Sequence, residues 1–254
     1  DEILPEITAP NMISVNATSA AGAIVNYTTP VGTDNCSVTT ALTAGLADGA
    51  TFPIGTTVVT YVATDGSGND ASASFNVEVV GIAPVIAVPA NITVNTDANE
   101  CGAIVPFAAT DETGIPNSVI TYDIQPNSLF EVGTTTVTAT ATNAVGTAIS
   151  TFDVTVIDDI KPEIAAPNNI STVATSAQGA IVNYTTPVGT DNCSVTTAMT
   201  SGLADGATFP IGTTVVTYVA TDGSGNDASA SFNVEVVGIA PVIVVPANIT
   251  VNTD

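Results

Sequence analysis

Three cysteines (Cys36, Cys101 and Cys193), 24 carboxylates and one basic side chain, Lys161, are the groups in this chain with which acid–base, nucleophilic or metal chemistry could be done. There is no His. A Ser–His or Cys–His dyad is therefore impossible, and so is a His-based metal centre. Paired carboxylates can act on a sugar, but they need a cleft with aromatic walls, and only 5% of the residues are aromatic. The residue types point away from an enzyme. They leave two chemistries open: disulfide formation, and the holding of hard cations such as calcium by oxygen donors. The formal net charge of −23 repels nucleic acid and anionic lipid, which excludes both as partners. The same charge keeps parallel copies of the chain soluble and apart.

The elements that must position these groups are strands. Hydrophobic residues make up 45% of the sequence, too many for a chain kept disordered by its charge. Thr, Val, Ile and Ala dominate, Trp is absent, and the helix formers Lys, Arg, Gln and Glu are scarce. Such a composition suits a pleated, half-buried surface, so the class is all-β. No apolar run is long enough for a transmembrane helix, and no charged segment followed by an apolar core opens the chain as a signal peptide does.

Self-similarity organises everything else. Pro5-Glu6-Ile7-Thr8-Ala9-Pro10 returns as Pro162-Glu163-Ile164-Ala165-Ala166-Pro167, an offset of 157, and beyond Ala207 the copy is almost identical to the segment after Ala50. A weaker repeat lies inside the strong one. Pro84-Val85-Ile86-Ala87-Val88-Pro89 matches the opening phrase, and Phe52-Pro53-Ile54-Gly55-Thr56-Thr57 returns as Phe130-Glu131-Val132-Gly133-Thr134-Thr135. Three units of about 80 residues follow, the first and third near-identical, and a fourth opens at Pro241. The natural chain is expected to continue past both ends of the sequence.

Within the first unit, strands are predicted near 5–8, 12–17, 22–28, 37–44, 56–64 and 71–80. Val59, Tyr61 and Ala63 fall on one face, with Thr60, Val62 and Thr64 on the other; Val137, Ala139 and Ala141 repeat the pattern in the second unit. The next strand buries Phe75, Val77 and Val79 and exposes Asn76 and Glu78. This period of two marks a sheet with one buried face. Asp65-Gly66-Ser67-Gly68-Asn69 between the two strands is a turn by composition.

The same phrases resemble the hyalin repeat, or HYR, domain. They are Asn91-Ile92-Thr93-Val94, Cys101-Gly102-Ala103, Thr33-Asp34-Asn35-Cys36, the run from Phe52 to Tyr61, and Ala63-Thr64-Asp65-Gly66-Ser67-Gly68-Asn69. The resemblance covers the whole chain and implies tandem immunoglobulin-like β-sandwich domains, an extracellular or cell-surface location, and a role in adhesion. The domains are placed at 1–80, 81–157 and 158–237, with the start of a fourth at 238–254. The Lys-poor, Thr-rich sequence also looks like the giant surface adhesins of gliding Bacteroidota. It departs from the family in lacking one cysteine pair per domain. Ala9 and Ala73, Val88 and Ala148, and Ala166 and Ala230 stand where family members usually carry Cys, so the usual intradomain disulfide is in doubt.

In such a topology the first strand runs away from the N-terminal end of its domain and the second returns, so the loops Thr190-Asp191-Asn192 and Asp222-Gly223-Ser224-Gly225-Asn226-Asp227 both lie at the N-terminal end of the third domain. Around the junction before the third domain, five carboxylates are expected to converge: Asp158 and Asp159 of the linker, Asp191, Asp222 and Asp227. Calcium takes six to eight such oxygens; the competing reading is that Asp, Asn and Gly simply make turns. The equivalent set at the start of the first domain is Asp1, Glu2, Asp34, Asp65 and Asp70, while the junction between the first two domains has the uncharged linker Gly81-Ile82-Ala83. The cysteines number one per domain. Cys101 opens the second strand of its domain, at the C-terminal end, and Cys193 lies at the N-terminal end of the next, so an interdomain disulfide is expected between them. At the preceding junction the matching places hold Ala21 and Glu112 or its neighbours, and both cysteines are missing together. By the same rule Cys36 expects a partner outside this sequence. Three buried free thiols are the alternative.

Two functions of different classes remain. One is a structural extender whose partners are the neighbouring repeats, with or without parallel copies in a filament. The other is a binding module that grips a glycan or surface protein through exposed loops. The Thr-rich strands admit an ice-binding reading, but Thr is simply a good strand former on an exposed face, and the Asn-x-Ser/Thr sites discriminate nothing.

Two predictions follow from the sequence. A ten-residue strand spans roughly 33 Å, so three domains end to end reach on the order of 100–120 Å. Pro84 and Pro162 in the linkers restrict bending. Small-angle scattering is expected to report an elongated rod; a radius of gyration of about 18 Å, that of a single globule of this length, would contradict it. Trypsin is expected to leave the chain intact, because Lys161 is its only cleavable residue and Pro162 follows it. Rapid tryptic fragmentation would count against this reading.

Overall fold

A computed structural model of the chain describes residues 2–245 and 247–251, and there is no helix among these residues. Six strands form the first repeat: β1 (Ile13–Asn16), β2 (Ala23–Ile24), β3 (Val38–Ala44), β4 (Thr51–Phe52), β5 (Gly55–Asp65) and β6 (Asp70–Val80). The second contributes β7 (Ile86–Ala87), β8 (Ile92–Asn95), β9 (Gly102–Val105), β10 (Thr110–Asp111), β11 (Val119–Tyr122), β12 (Ser128–Glu131), β13 (Gly133–Thr142) and β14 (Thr147–Ile157). The third copies the first as β15 (Ile170–Val173), β16 (Ala180–Ile181), β17 (Val195–Ser201), β18 (Thr208–Phe209), β19 (Gly212–Asp222) and β20 (Asp227–Val237).

Each repeat is built on one four-stranded sheet. The orders are β1-β6-β5-β3, β11-β13-β14-β8 and β15-β20-β19-β17. The first strand pairs in parallel with the last, Ile13 opposite Val77 and Ile170 opposite Val234, and the other ladders of the first and third repeats are antiparallel. Across the core lie the short pairs β2-β4, β12-β9 and β16-β18. The strand expected at 22–28 is paired over only two residues, and that at 5–8 is reduced to a bridge between Glu6 and Thr33. Prolines 5, 10 and 30 flank these stretches and remove ladder donors. The sequence reading missed β4, a two-residue strand too short to show any period.

The core is one side chain deep on each sheet. Val59, Tyr61, Ala63, Phe75, Val77 and Val79 are buried, and Thr56, Asn76 and Thr60 look outward. The outward face carries hydroxyl pairs such as Thr60–Ser74 at 2.9 Å and Thr217–Ser231 at 2.9 Å. Tyr27 is the centre of the first core. Its ring meets Phe75 edge-on at 5.0 Å, and its hydroxyl donates to the Leu46 carbonyl at 2.7 Å and shares a hydrogen bond with the Tyr61 hydroxyl. Tyr184 makes the same contacts with Phe232, Leu203 and Tyr218. Burial pushes both tyrosine hydroxyls well above their ordinary pKa. In the second repeat Phe107 takes this place, against Tyr122, Phe130 and Phe152.

Two compact units divide the described chain, and the division runs through the second repeat. One comprises the described residues up to Thr93, Ile104–Phe130 and Thr134–Thr155; the other comprises Val94–Ala103, Glu131–Gly133 and the described residues from Val156 onward. The first unit holds the joint between repeats 1 and 2. Ile115 packs with Ile54 against the first core, Ile82 and Ile115 exchange backbone hydrogen bonds, and the Asn143 amide donates to the carbonyls of Ile82 and Pro116. The second unit holds the end of repeat 2 together with repeat 3.

Phe209 is fully buried, whereas Ile181 on the neighbouring short strand is 66% exposed. Phe209→Ala is expected to cost the third repeat about 3–5 kcal/mol of stability, and Ile181→Ala no more than about 0.5 kcal/mol. Denaturant unfolding measures both; equal losses would contradict the assigned faces.

Candidate functional site

The end of repeat 2 and the start of repeat 3 meet within one compact unit. A tight turn, in which the Asp97 N–H donates to the Gly102 carbonyl at 2.7 Å, lifts Cys101 out ahead of β9. On the other side, Asp191 Oδ2 accepts the Cys193 N–H at 3.2 Å and holds the loop that carries Cys193. The two cysteines are joined in a disulfide with their Cα atoms 4.7 Å apart and a sequence separation of 92. Cys36, in the equivalent loop of repeat 1, is an exposed free thiol, and its N–H is held by Asp34 in the same way at 3.0 Å.

Around the disulfide the contacts are polar. The Asn192 amide donates to the Glu100 carbonyl at 3.1 Å and to Thr96 Oγ1 at 3.4 Å. Thr96 is itself buried and donates from its hydroxyl to Asp158 Oδ1 at 3.3 Å. The Asn226 amide donates to the Asp158 carbonyl at 3.0 Å and to Asp222 Oδ2 at 2.8 Å. Asp222 also receives the N–H groups of Ser224 and Asn226. Burial raises the Asp222 carboxyl, but these donors outweigh it and hold the group below the ordinary carboxylate range. In repeat 1 the Asn69 amide is the main cause of the same lowering at Asp65.

Of the five carboxylates expected to converge here, the structure groups three. Asp158, Asp191 and Asp222 each place one oxygen within 4.8 Å of the others, the one group of this kind among the described residues. Asp159 points elsewhere and accepts the Asn95 amide at 2.7 Å. Asp227 is exposed at the first position of β20, paired with Thr221. In the equivalent set, Asp1 lies outside the described residues, Glu2 is exposed, and Asp70 accepts the Thr64 hydroxyl at 2.6 Å. Asp34 and Asp65 hold the same loops as Asp191 and Asp222. The bridging roles of Asn192, Asn226 and Thr96 were missed by sequence reasoning. Only the recurrence of Asn35 as Asn192 and Asn69 as Asn226 beside the acidic residues marked two of them.

Comparison with known proteins places these features in a family. The HYR domain matches residues 1–79, 82–156 and 157–236. Hyalin of Lytechinus variegatus is 36% identical over 248 residues, 91% of this chain and 47% of that protein. Hyalin of Strongylocentrotus purpuratus is 34% identical over 249 residues, 90% of this chain and 21% of that protein. The chain thus spans less than half the length of these relatives. Among solved structures, mouse cadherin-23 EC22-24 aligns over 93% of this chain and 99% of that one with a TM-score of 0.36 and 17% identity. Drosophila N-cadherin EC1-3 aligns over 91% and 99% with a TM-score of 0.37 and 10% identity. These superpositions are too loose to carry an argument.

The disulfide sets a count of thiols. Alkylation of the untreated, denatured protein is expected to label Cys36 alone, and non-reducing peptide mapping to recover a Cys101–Cys193 cross-linked peptide. Labelling of all three cysteines would contradict the assigned pairing.

Proposed function

The chain belongs to the HYR domain family, and on that premise we propose that it is a structural extender in a large secreted surface adhesin, holding a distal binding region away from the cell. The single observation that carries this reading is the placement of the aromatic rings. Phe52, Phe75, Phe107, Phe130, Phe152, Phe209 and Phe232, with Tyr27, Tyr61, Tyr122, Tyr184 and Tyr218, are all buried or half-buried. Binding surfaces rely on exposed Trp, Tyr and Arg as anchors, and this chain has neither Trp nor Arg. Its outward strand faces present Thr and Ser, several of which hydrogen-bond to one another, as Thr60 does to Ser74 and Thr134 to Thr155. Repetition in near-identical copies supports structure over recognition, because a solenoid or array gains length by adding units.

An extracellular address is supported by the disulfide, since such bonds persist in oxidising compartments. No helix is long and apolar enough to cross a membrane among the described residues. The narrower setting is a giant surface adhesin of gliding Bacteroidota, supported by the Lys-poor, Thr-rich composition; in a filament, the −23 charge keeps parallel copies separate. No enzymatic role is assigned.

The test is a binding screen of the whole chain against glycans and extracellular-matrix proteins. The extender reading expects no saturable binding to any of them. Specific, saturable binding by this segment would overturn it in favour of an adhesive module.

A further inference from the structure

We propose that Asp158, Asp191 and Asp222 hold a divalent cation, calcium by the chemistry of their donors, at the joint sealed by the Cys101–Cys193 disulfide. This inference does not depend on the extender reading. Three separate segments supply the ligands: the linker just past β14, the Cys193 loop, and the end of β19. Their oxygens lie within 4.8 Å of one another, and Asp158 and Asp222 are only 5% and 8% exposed. Like charges brought this close and withdrawn from water repel one another strongly. The chain has one basic side chain, Lys161. It lines a neighbouring open cavity with Asp191, yet it is itself exposed to solvent.

A second observation points to a ligand. Asp191 Oδ1 and the adjacent Asn192 Oδ1 are both buried oxygens without a hydrogen-bond donor. Buried acceptors are normally satisfied, and leaving one bare is costly, most of all on a carboxylate. The Asp191 carboxylate spends its other oxygen on the Cys193 N–H, and the Asn192 amide nitrogen is spent on Glu100 and Thr96. A cation would satisfy what no donor in the protein reaches. The donor set is all oxygen and comes from three separate segments of the chain. That suits calcium, with six to eight ligands in flexible geometry, better than the strict octahedron of magnesium.

The other joint of the chain supplies an internal control. There the corresponding Thr-Asp step is Thr110-Asp111, and Asp111 Oδ1 accepts the N–H groups of Val85, Thr113 and Gly114 at 2.9–3.2 Å. The linker is Gly81-Ile82-Ala83, without a carboxylate. With no linker carboxylate to face Asp111, no group of three acidic oxygens gathers at this joint among the described residues. In repeat 1, by contrast, Asp34 Oδ1 is buried and unpartnered just as Asp191 Oδ1 is.

The test is calorimetric titration of calcium chloride into the whole chain after chelator treatment, repeated with magnesium chloride and with Asp158→Asn and Asp159→Asn. Saturable calcium binding is expected with a dissociation constant of about 0.1–1 mM or tighter, the range of extracellular modules and below. Magnesium should bind more weakly. Asp158→Asn should weaken calcium by at least the about ten- to hundredfold that even outer-shell changes cost, whereas Asp159→Asn, whose carboxylate is engaged with Asn95, should leave it unchanged. Retention of the Cys101–Cys193 cross-link and of the strand circular dichroism checks that each variant folds; should Asp158→Asn fail, Asp191→Asn takes its place. No saturable calcium binding by the unsubstituted chain, or binding insensitive to the substituted ligand, would overturn the proposal.

Discussion

Everything in this molecule depends on a long hairpin that buries one face and wets the other. In the first and third repeats its two strands are eleven residues each, and their alternation of Val, Ala and aromatic residues with Thr, Ser and Asn allows only one register. A slip of one residue would carry Val77 and Phe75 into water and bring Glu78 and Asn76 into the core. The hairpin therefore holds its ends in place as well as its faces. Its connecting turn, closed by Asp65 or Asp222 with the Asn four residues on, is where the third repeat meets the second.

The two joints solve one problem with different chemistry. A repeat of about 80 residues has a small core and little surface to spare for its neighbour. Between repeats 1 and 2 the answer is largely apolar: Ile54 and Ile115 pack on the first core beside Gly81, where an added Cβ would meet Val145 and the Ile115 carbonyl. Between repeats 2 and 3 the answer is polar and covalent. Asparagine amides cross from one repeat to the other, and a disulfide makes their separation a matter of bond breaking. With one cysteine in each repeat, no repeat can close a disulfide within itself, and the bond that forms joins repeats 2 and 3.

Much of this was legible in the sequence because it is periodic. The faces of β5, β6 and β13 follow from alternation alone, and the pairing of Cys101 with Cys193 follows from which end of a sandwich each loop occupies. Periodicity fails where an element is too short to show it, as with Thr51–Phe52 and Ala23–Ile24. It says nothing about where a loop side chain turns. Asp158 and Asp159 are adjacent and chemically alike, yet one faces Asp222 and the other Asn95, a distinction set by the direction of the backbone as it leaves β14. Asp227 was misgrouped for a related reason: it belongs by sequence to the acidic turn but by structure to the strand that follows, where its side chain points to solvent. Asp111, which looks like Asp34 and Asp191 in sequence, is instead saturated by backbone donors that only the fold reveals.

The Cys101–Cys193 bond fastens the end of repeat 2 to the start of repeat 3 and closes the chain between them into a covalent loop. Pulling the single chain from its two ends tests it directly. With the bond intact, the stretch of chain closed by the cysteines, a sequence separation of 92, cannot contribute to the unfolded contour. The total gain in contour length on full unfolding should then be shorter by roughly 300–330 Å than in the same chain under a reducing agent, at about 3.3–3.6 Å per residue. Equal contour gains with and without the reducing agent would contradict the account.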